Sequence, residues 1–143
     1  LYLSTNAADY QSFLKINRPR YDDSWERWNR TLRMLSKLHT RTVLRLTLIR
    51  GYNDNEEMVP AFASLLRQSN AHFVEIKSYM HIGRSTNRLE HSDMLEMDEV
   101  RYFADKLVQE NSAFTVMDES EISRIVILQN KKRFVDRFIP AYC

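Results

Sequence analysis

Three stretches of this chain alternate apolar and polar residues with the two-residue period of a strand, and stretches of helical spacing separate them. No other feature limits the possible folds as much. In Thr42–Ile49, Leu44, Leu46 and Leu48 share one face, while Val43, Arg45, Thr47 and Ile49 share the other. In Phe73–Tyr79, Val74 and Ile76 oppose Glu75, Lys77 and Tyr79; in the opening run, Leu1 and Leu3 oppose Tyr2, Ser4 and Asn6. Between them, residues 9–16 read as a short helix. Trp25, Trp28, Leu32, Leu35 and Leu38 then recur at steps of three and four, with Asp23 or Ser24 as N-cap. A third helix is expected over 55–69, starting late or kinked because of Pro60, and a fourth over 98–111. Phe114–Met117 and Arg124–Leu128 read as two further short strands. Strand and helix in alternation predict an α/β fold with a parallel sheet of βα units.

A parallel sheet sandwiched between helices is apolar on both faces, whereas strands lining a cavity carry a polar face. Arg45, Glu75 and Lys77 in a dry interior need either one another or a polar ligand, unless the face meets solvent. The pattern recurs on three strands, which points to the lumen of a partial (β/α) barrel, with Tyr2, Ser4, Arg45, Thr47, Glu75 and Lys77 converging on one hydrophilic hollow. Ligands of such barrels sit at the carboxyl ends of the strands. That end gathers Ser4 and Asn6, Thr47 and Arg50–Asn53, and Lys77–Gly83, with Gly51 permitting a tight turn.

At 143 residues the chain is expected to form one domain, and its one cysteine, Cys143, excludes a disulfide framework or a thiolate-held metal cluster carried by this chain alone. No stretch has the pattern of a membrane span or a signal peptide. The chain opens on a strand-like run at Leu1 without a methionine, so a fragment of a longer protein is expected. The net charge of +2 is unevenly spread: residues 1–50 carry ten Lys and Arg against four Asp and Glu, residues 51–100 four against nine. A basic first third faces either phosphate or, since many of its arginines sit on the second helix, only solvent. The aperiodic segment 81–97 is long for a connection and is expected to be functional or mobile. His39, His72, His81 and His91 show no metal-ligand spacing, and Trp25 and Trp28 fit the core better than base stacking.

Several motifs resemble one known family. Leu3-Ser4-Thr5-Asn6-Ala7 is similar to the VSVDA strand of radical S-adenosylmethionine (SAM) enzymes. Arg18-Pro19 with Ser24-Trp25-Glu26-Arg27 resembles the RP…FWERF stretch of the tRNA wybutosine-synthesising members. Arg41-Thr42-Val43, Arg45-Leu46-Thr47-Leu48 and Gly51-Tyr52-Asn53 match their RTVYRLTLVKGWN, and Phe73-Val74-Glu75-Ile76-Lys77 with Gly83 follows FIEVKG…G. The four motifs occur in order from residue 1 to about residue 83. The resemblance implies the C-terminal part of a radical SAM partial barrel, with these strands as its fourth to sixth. The implied activity joins a two-carbon unit from pyruvate to N1-methylguanosine beside the anticodon of tRNA-Phe, forming 4-demethylwyosine. A reduced [4Fe-4S] cluster would cleave SAM, and eukaryotic forms add an FMN-binding flavodoxin-like domain or otherwise need an electron donor. The family's cluster cysteines and pyruvate-holding lysine lie upstream of this segment, and Asn6 replaces the usual Asp. A cytoplasmic location follows from the pathway. The rival reading is a non-catalytic α/β module that meets RNA through its basic first third.

Carried over residue by residue, the resemblance assigns Ser4, Asn6, Arg45, Thr47 and Lys77 to SAM. A hydroxyl suits the methionine carboxylate or ammonium, and a guanidinium binds a carboxylate bidentately unless Glu75 claims it. Lys77 has SAM, the pyruvate-derived unit or an RNA phosphate as possible partners. Asn53 is assigned to substrate or tRNA, with capping of the next helix as its competing task. Arg84 and Arg88 are assigned to phosphates of the anticodon arm. No residue here is assigned a catalytic or metal-binding role.

Overall fold

A computed structural model describes residues 1–139, so Cys143 lies outside the described residues. Three parallel strands, β1 (Tyr2–Ser4), β2 (Val43–Leu48) and β3 (Phe73–Ser78), stand side by side in chain order. Helices α1 (Tyr10–Asn17) and α2 (Ser24–Met34) connect the first two, α3 (Val59–Ser69) the next two, and α4 (Met97–Glu110) follows β3. This is the expected unit of parallel strands each followed by helix.

The run of parallel strands ends there. β4 (Phe114–Ser120) and β5 (Ile125–Asn130) form an antiparallel hairpin, and β5 pairs antiparallel with β3, giving the order β1-β2-β3-β5-β4. Residues 121–124 are too few for a parallel crossover, which takes a dozen residues or more. Instead Arg124, at φ 49°, closes the turn by donating its N–H to the Glu121 carbonyl at 3.1 Å.

One sheet face is the core. Leu44, Leu46, Leu48, Val74, Ile76, Val126 and Leu128 are all fully buried beneath α2, α3 and α4. Each such side chain stabilises the fold by about 1.5–3 kcal/mol. Phe62 of α3 meets Phe103 of α4 edge-on at 6.0 Å, closing the helical layer. Pro60 falls in the first turn of α3, preceded by a 3₁₀ turn at Glu56–Met58 capped by the Asn55 side chain at 3.1 Å from the Met58 N–H. The late start expected from Pro60 is therefore observed. Trp25 and Trp28 stack at 5.3 Å beside Phe13, and the Trp28 indole donates to the Ser4 carbonyl at 3.0 Å.

Beneath the strands' amino ends lies a buried polar cluster. The Thr42 N–H donates to His72 Nδ1 at 3.1 Å, so this imidazole is held neutral with its proton on Nε2. Burial, then the nearby Arg133 and Arg41, push its pKa below the ordinary 6.5. The unfolded chain thus takes up a proton near pH 6.5 that the folded chain refuses. Stability from this group is complete above that pH and declines as the pH falls through the folded value. We expect urea midpoints to drop between pH 7 and pH 5, and His72→Asn, which keeps an acceptor for the Thr42 N–H, to flatten that drop. An unflattened curve would clear His72 of the effect.

Candidate ligand cavity at the strand mouths

The second sheet face carries the polar side chains. Parallel register sets them in rows: Tyr2, Val43 and Phe73; then Ser4, Arg45 and Glu75; then Thr47 beside Lys77. The three strands therefore do present their polar residues on a common face. They do not line one hollow.

The middle row divides the face. Arg45 donates Nε to Glu75 Oε1 at 2.8 Å and Nη2 to Oε2 at 3.1 Å, a bidentate pair across β2 and β3. Its guanidinium also stacks on the Tyr2 ring at 4.6 Å. Below this bar, toward the strands' amino ends, Tyr2 and Glu75 line a cavity of about 260 Å³ with Val43, Phe73, Met117 and Ile127. Above it, at the carboxyl ends, a cavity of about 390 Å³ is lined by Asn6, Arg45, Thr47 and Lys77. The expectation of a single hollow holding all six side chains is thus corrected: Glu75 is spent on Arg45, whose Nη1 alone makes no hydrogen bond among the described residues.

The upper cavity brings together five of the eight residues assigned to ligands: Asn6, Arg45, Thr47, Lys77 and Arg88. Ser4 is exposed next to Arg45 in register but is not part of the lining. Arg84, also exposed, stands outside the lining. Asn6 has a structural task as well, its Oδ1 accepting the Thr47 N–H at 3.0 Å.

Asn53 is corrected outright. It is fully buried, its Oδ1 accepts the Ile49 N–H at 2.7 Å, and its Nδ2 donates to the carbonyls of Asn6 and Thr47, both at 2.8 Å. Its polar groups are occupied in tying the end of β1 to the end of β2, leaving nothing for substrate. Nor does it cap the following helix, a task taken by Asn55. Gly51, at φ 72°, makes the turn that lets Asn53 fold back.

The segment 81–97 is built rather than loose. Two 3₁₀ turns, Gly83–Asn87 and His91–Asp93, frame a small second core in which Leu89 and Met94 pack on Ile49 and Tyr79. Arg50 pins it from the end of β2. Its side chain donates to the Ser92 and Met94 carbonyls at 3.0 and 2.9 Å and pairs with both Glu99 oxygens at 2.5 and 2.6 Å. Those bonds hold the Glu99 carboxyl below the usual range. Arg88, which rides on this segment, is thereby placed at the cavity. Arg50 itself does not line it.

Sequence reasoning missed Lys15 and Arg18 in the lining, whereas Tyr52 and Tyr79 fall within the runs expected at the mouth. Lys15 lies over the Tyr52 ring at 4.4 Å, and the buried Tyr79 hydroxyl is 3.2 Å from His81 Nδ1. The excess of positive charge in the first third was the signal for Lys15, and for Arg18 that excess together with the Arg18-Pro19 motif. Among the described residues lining the cavity, five are cationic and none is acidic. Such a site suits a polar ligand that presents negative charge.

Comparison with known proteins bears on this site. A family model described as wyosine base formation matches residues 68–130. The SAM-dependent tRNA 4-demethylwyosine synthase of Methanocaldococcus jannaschii is 42% identical over 136 residues, covering 95% of this chain and 42% of that protein. The Danio rerio enzyme of the same name is 34% identical over 137 residues, covering 18% of its length. A solved structure of TYW1 with a lysine-pyruvate adduct bound superposes with a TM-score of 0.80 at 39% identity, covering 92% of this chain and 41% of that one. A crystal structure of archaeal TYW1 gives 0.72 at 36% identity, covering 94% and 40%. The chain thus spans about two fifths of the length of these archaeal relatives.

Proposed function

We propose that this chain belongs to the radical SAM family that forms the wyosine base and supplies one wall of an active site producing 4-demethylwyosine from N1-methylguanosine and pyruvate in tRNA-Phe. The observation that carries this reading is the position of the larger polar cavity. It opens at the carboxyl ends of parallel strands, where barrel enzymes work, in a chain whose match to the synthases runs through 95% of its residues.

SAM fits the floor of that cavity. Its amino-acid moiety needs acceptors and donors in close range, and Asn6, Thr47, Lys77 and the unoccupied Nη1 of Arg45 offer both. Arg45 is oriented by Glu75, so its planar fork is already fixed before ligand arrives, which lowers the entropy lost on binding. A reduced [4Fe-4S] cluster held outside this chain would supply the electron for cleaving SAM; the residues here would only bind and orient it. The cluster does not fit the residues described: no group of three His, Cys, Asp or Glu side chains converges among them, and thiolates are the usual cluster ligands. On this reading the cluster, an electron donor and the pyruvate-bearing lysine would be supplied by segments outside this chain.

The role of this wall is to bind, orient and enclose. Ile49, Met80 and Leu89 supply apolar lining that displaces water from the ligand. A cytoplasmic location agrees with a tRNA substrate; among the described residues no helix is long and apolar enough to cross a membrane. A non-catalytic RNA module would need the same basic rim. It has no use for an ion-paired arginine set in a polar cavity at the strand mouths, which favours the enzymic reading.

The test is direct. The full-length protein, with its cluster reconstituted, is incubated with SAM, pyruvate, a reductant and tRNA-Phe carrying N1-methylguanosine, and nucleosides are resolved by mass spectrometry. Appearance of 4-demethylwyosine is expected; bound RNA with no new nucleoside would favour the non-catalytic module.

A further inference from the structure

The charges in the upper cavity do not balance with SAM alone. Arg45 is neutralised by Glu75. Lys15, Arg18, Lys77 and Arg88 have no ion-pair partner among the described residues, and no acidic side chain lines the cavity beside them. SAM brings one carboxylate against an ammonium and a sulfonium, a net charge of +1, and pyruvate brings a single carboxylate. Four converging cations held in a partly apolar cleft repel one another unless further negative charge arrives.

The four are arranged in two tiers. Lys77 stands on β3, on the floor. Lys15 and Arg18, at the end of α1, and Arg88, on the pinned segment after β3, are exposed cations of the rim. Arg18 also carries a conformational signature. It is the C-cap of α1 and sits at φ 46°, ψ 61°, the left-handed region that glycine adopts without cost. An arginine held there costs about 1–3 kcal/mol relative to glycine, so glycine at this position relieves the backbone. Ile16 and Tyr52 line the same cavity and add apolar surface beside these cations, Lys15 lying over the Tyr52 ring.

We propose that Lys15, Arg18 and Arg88 form a phosphodiester clamp that holds the RNA backbone beside the target base, leaving the cavity floor to SAM. This rests on the reading of the chain as a wyosine-forming enzyme and adds to it the residues that engage the RNA. Exposed arginines and a lysine around an open rim suit phosphates, which approach from solvent and whose counterions are released on binding. A free carboxylate metabolite needs fewer charges and a more enclosed site.

The experiment measures binding of a fluorescein-labelled anticodon stem-loop RNA to the full-length protein across a salt series, with product formation assayed in parallel. Arg18→Gly is the informative variant, because glycine relieves the left-handed backbone. Its thermal midpoint should stay level or rise, while binding weakens about five- to tenfold at 0.1 M salt and the slope of log K against log salt becomes shallower by about 0.7–0.9. The double variant Arg18→Gly/Arg88→Gln should lose about twice that slope. Lys132→Gln, at the opposite end of the sheet just after β5, should leave both unchanged. A wild-type slope in the double variant, with product still formed, overturns the clamp and leaves the enzymic reading standing. Absence of product in the unaltered protein overturns that reading, and the clamp with it.

Discussion

Asn53→Ala is expected to destabilise the protein by about 2–5 kcal/mol, since it strands three buried backbone groups at once. Ile49 would lose the acceptor of its N–H, and the carbonyls of Asn6 and Thr47 would lose their donor. Asn53→Asp should be no milder. It retains an acceptor for the Ile49 N–H but sets a carboxylate oxygen against two carbonyls, replacing two attractions by repulsions in a fully buried place. Urea unfolding monitored by the Trp25–Trp28 pair checks both variants. A midpoint within experimental scatter of the parent protein would show that the tie between β1 and β2 is dispensable. Because these two strand ends carry Asn6 and Thr47, surviving folded Asn53→Ala protein should also bind SAM more weakly.

Lys77→Met is expected to weaken SAM binding by about 10- to 100-fold, as a hydrogen bond involving a charged group contributes about 1.5–3 kcal/mol. Methionine keeps the length and apolar stem of the side chain. Lys77 makes no ion pair among the described residues, so the fold should be little affected. Calorimetric titration of SAM into the full-length protein, with the thermal midpoint measured alongside, separates the two effects. Unchanged affinity would remove Lys77 from the cavity floor as a SAM contact and return it to the rim's anionic ligand. Lys77→Arg should recover part of the loss, because charge is restored while the donor geometry is altered.

The strands and helices were largely legible because their causes are local. Leucines two residues apart at 44, 46 and 48 pack one face of a strand whatever lies elsewhere, and β2 spans Val43–Leu48 within the expected run. Pro60 delayed α3 as its missing N–H requires. The antiparallel partnership of β5 with β3 is not legible in the sequence, although the six residues between the expected runs 114–117 and 124–128 are already too few for a parallel crossover between those two strands. The segment 81–97 was harder. Its order comes from Arg50 and Glu99, forty-nine residues apart, and from Leu89 and Met94 on a separate small core; no periodicity announces such anchors.

At the cavity the division follows the same physics. Strand alternation by itself put Arg45, Thr47, Glu75 and Lys77 on a common polar face, since side chains on a strand alternate regardless of neighbours. Whether those groups were free or mutually engaged depended on register between strands thirty residues apart, which set Arg45 opposite Glu75 and spent that carboxylate. Tertiary structure alone brought the end of α1 over the strand mouths and so added Lys15 and Arg18 to a wall that sequence had drawn only from strands. It alone also turned Asn53 inward. A residue's type and spacing fix which interactions it is able to make; which partner is within 3 Å is decided by how distant segments pack.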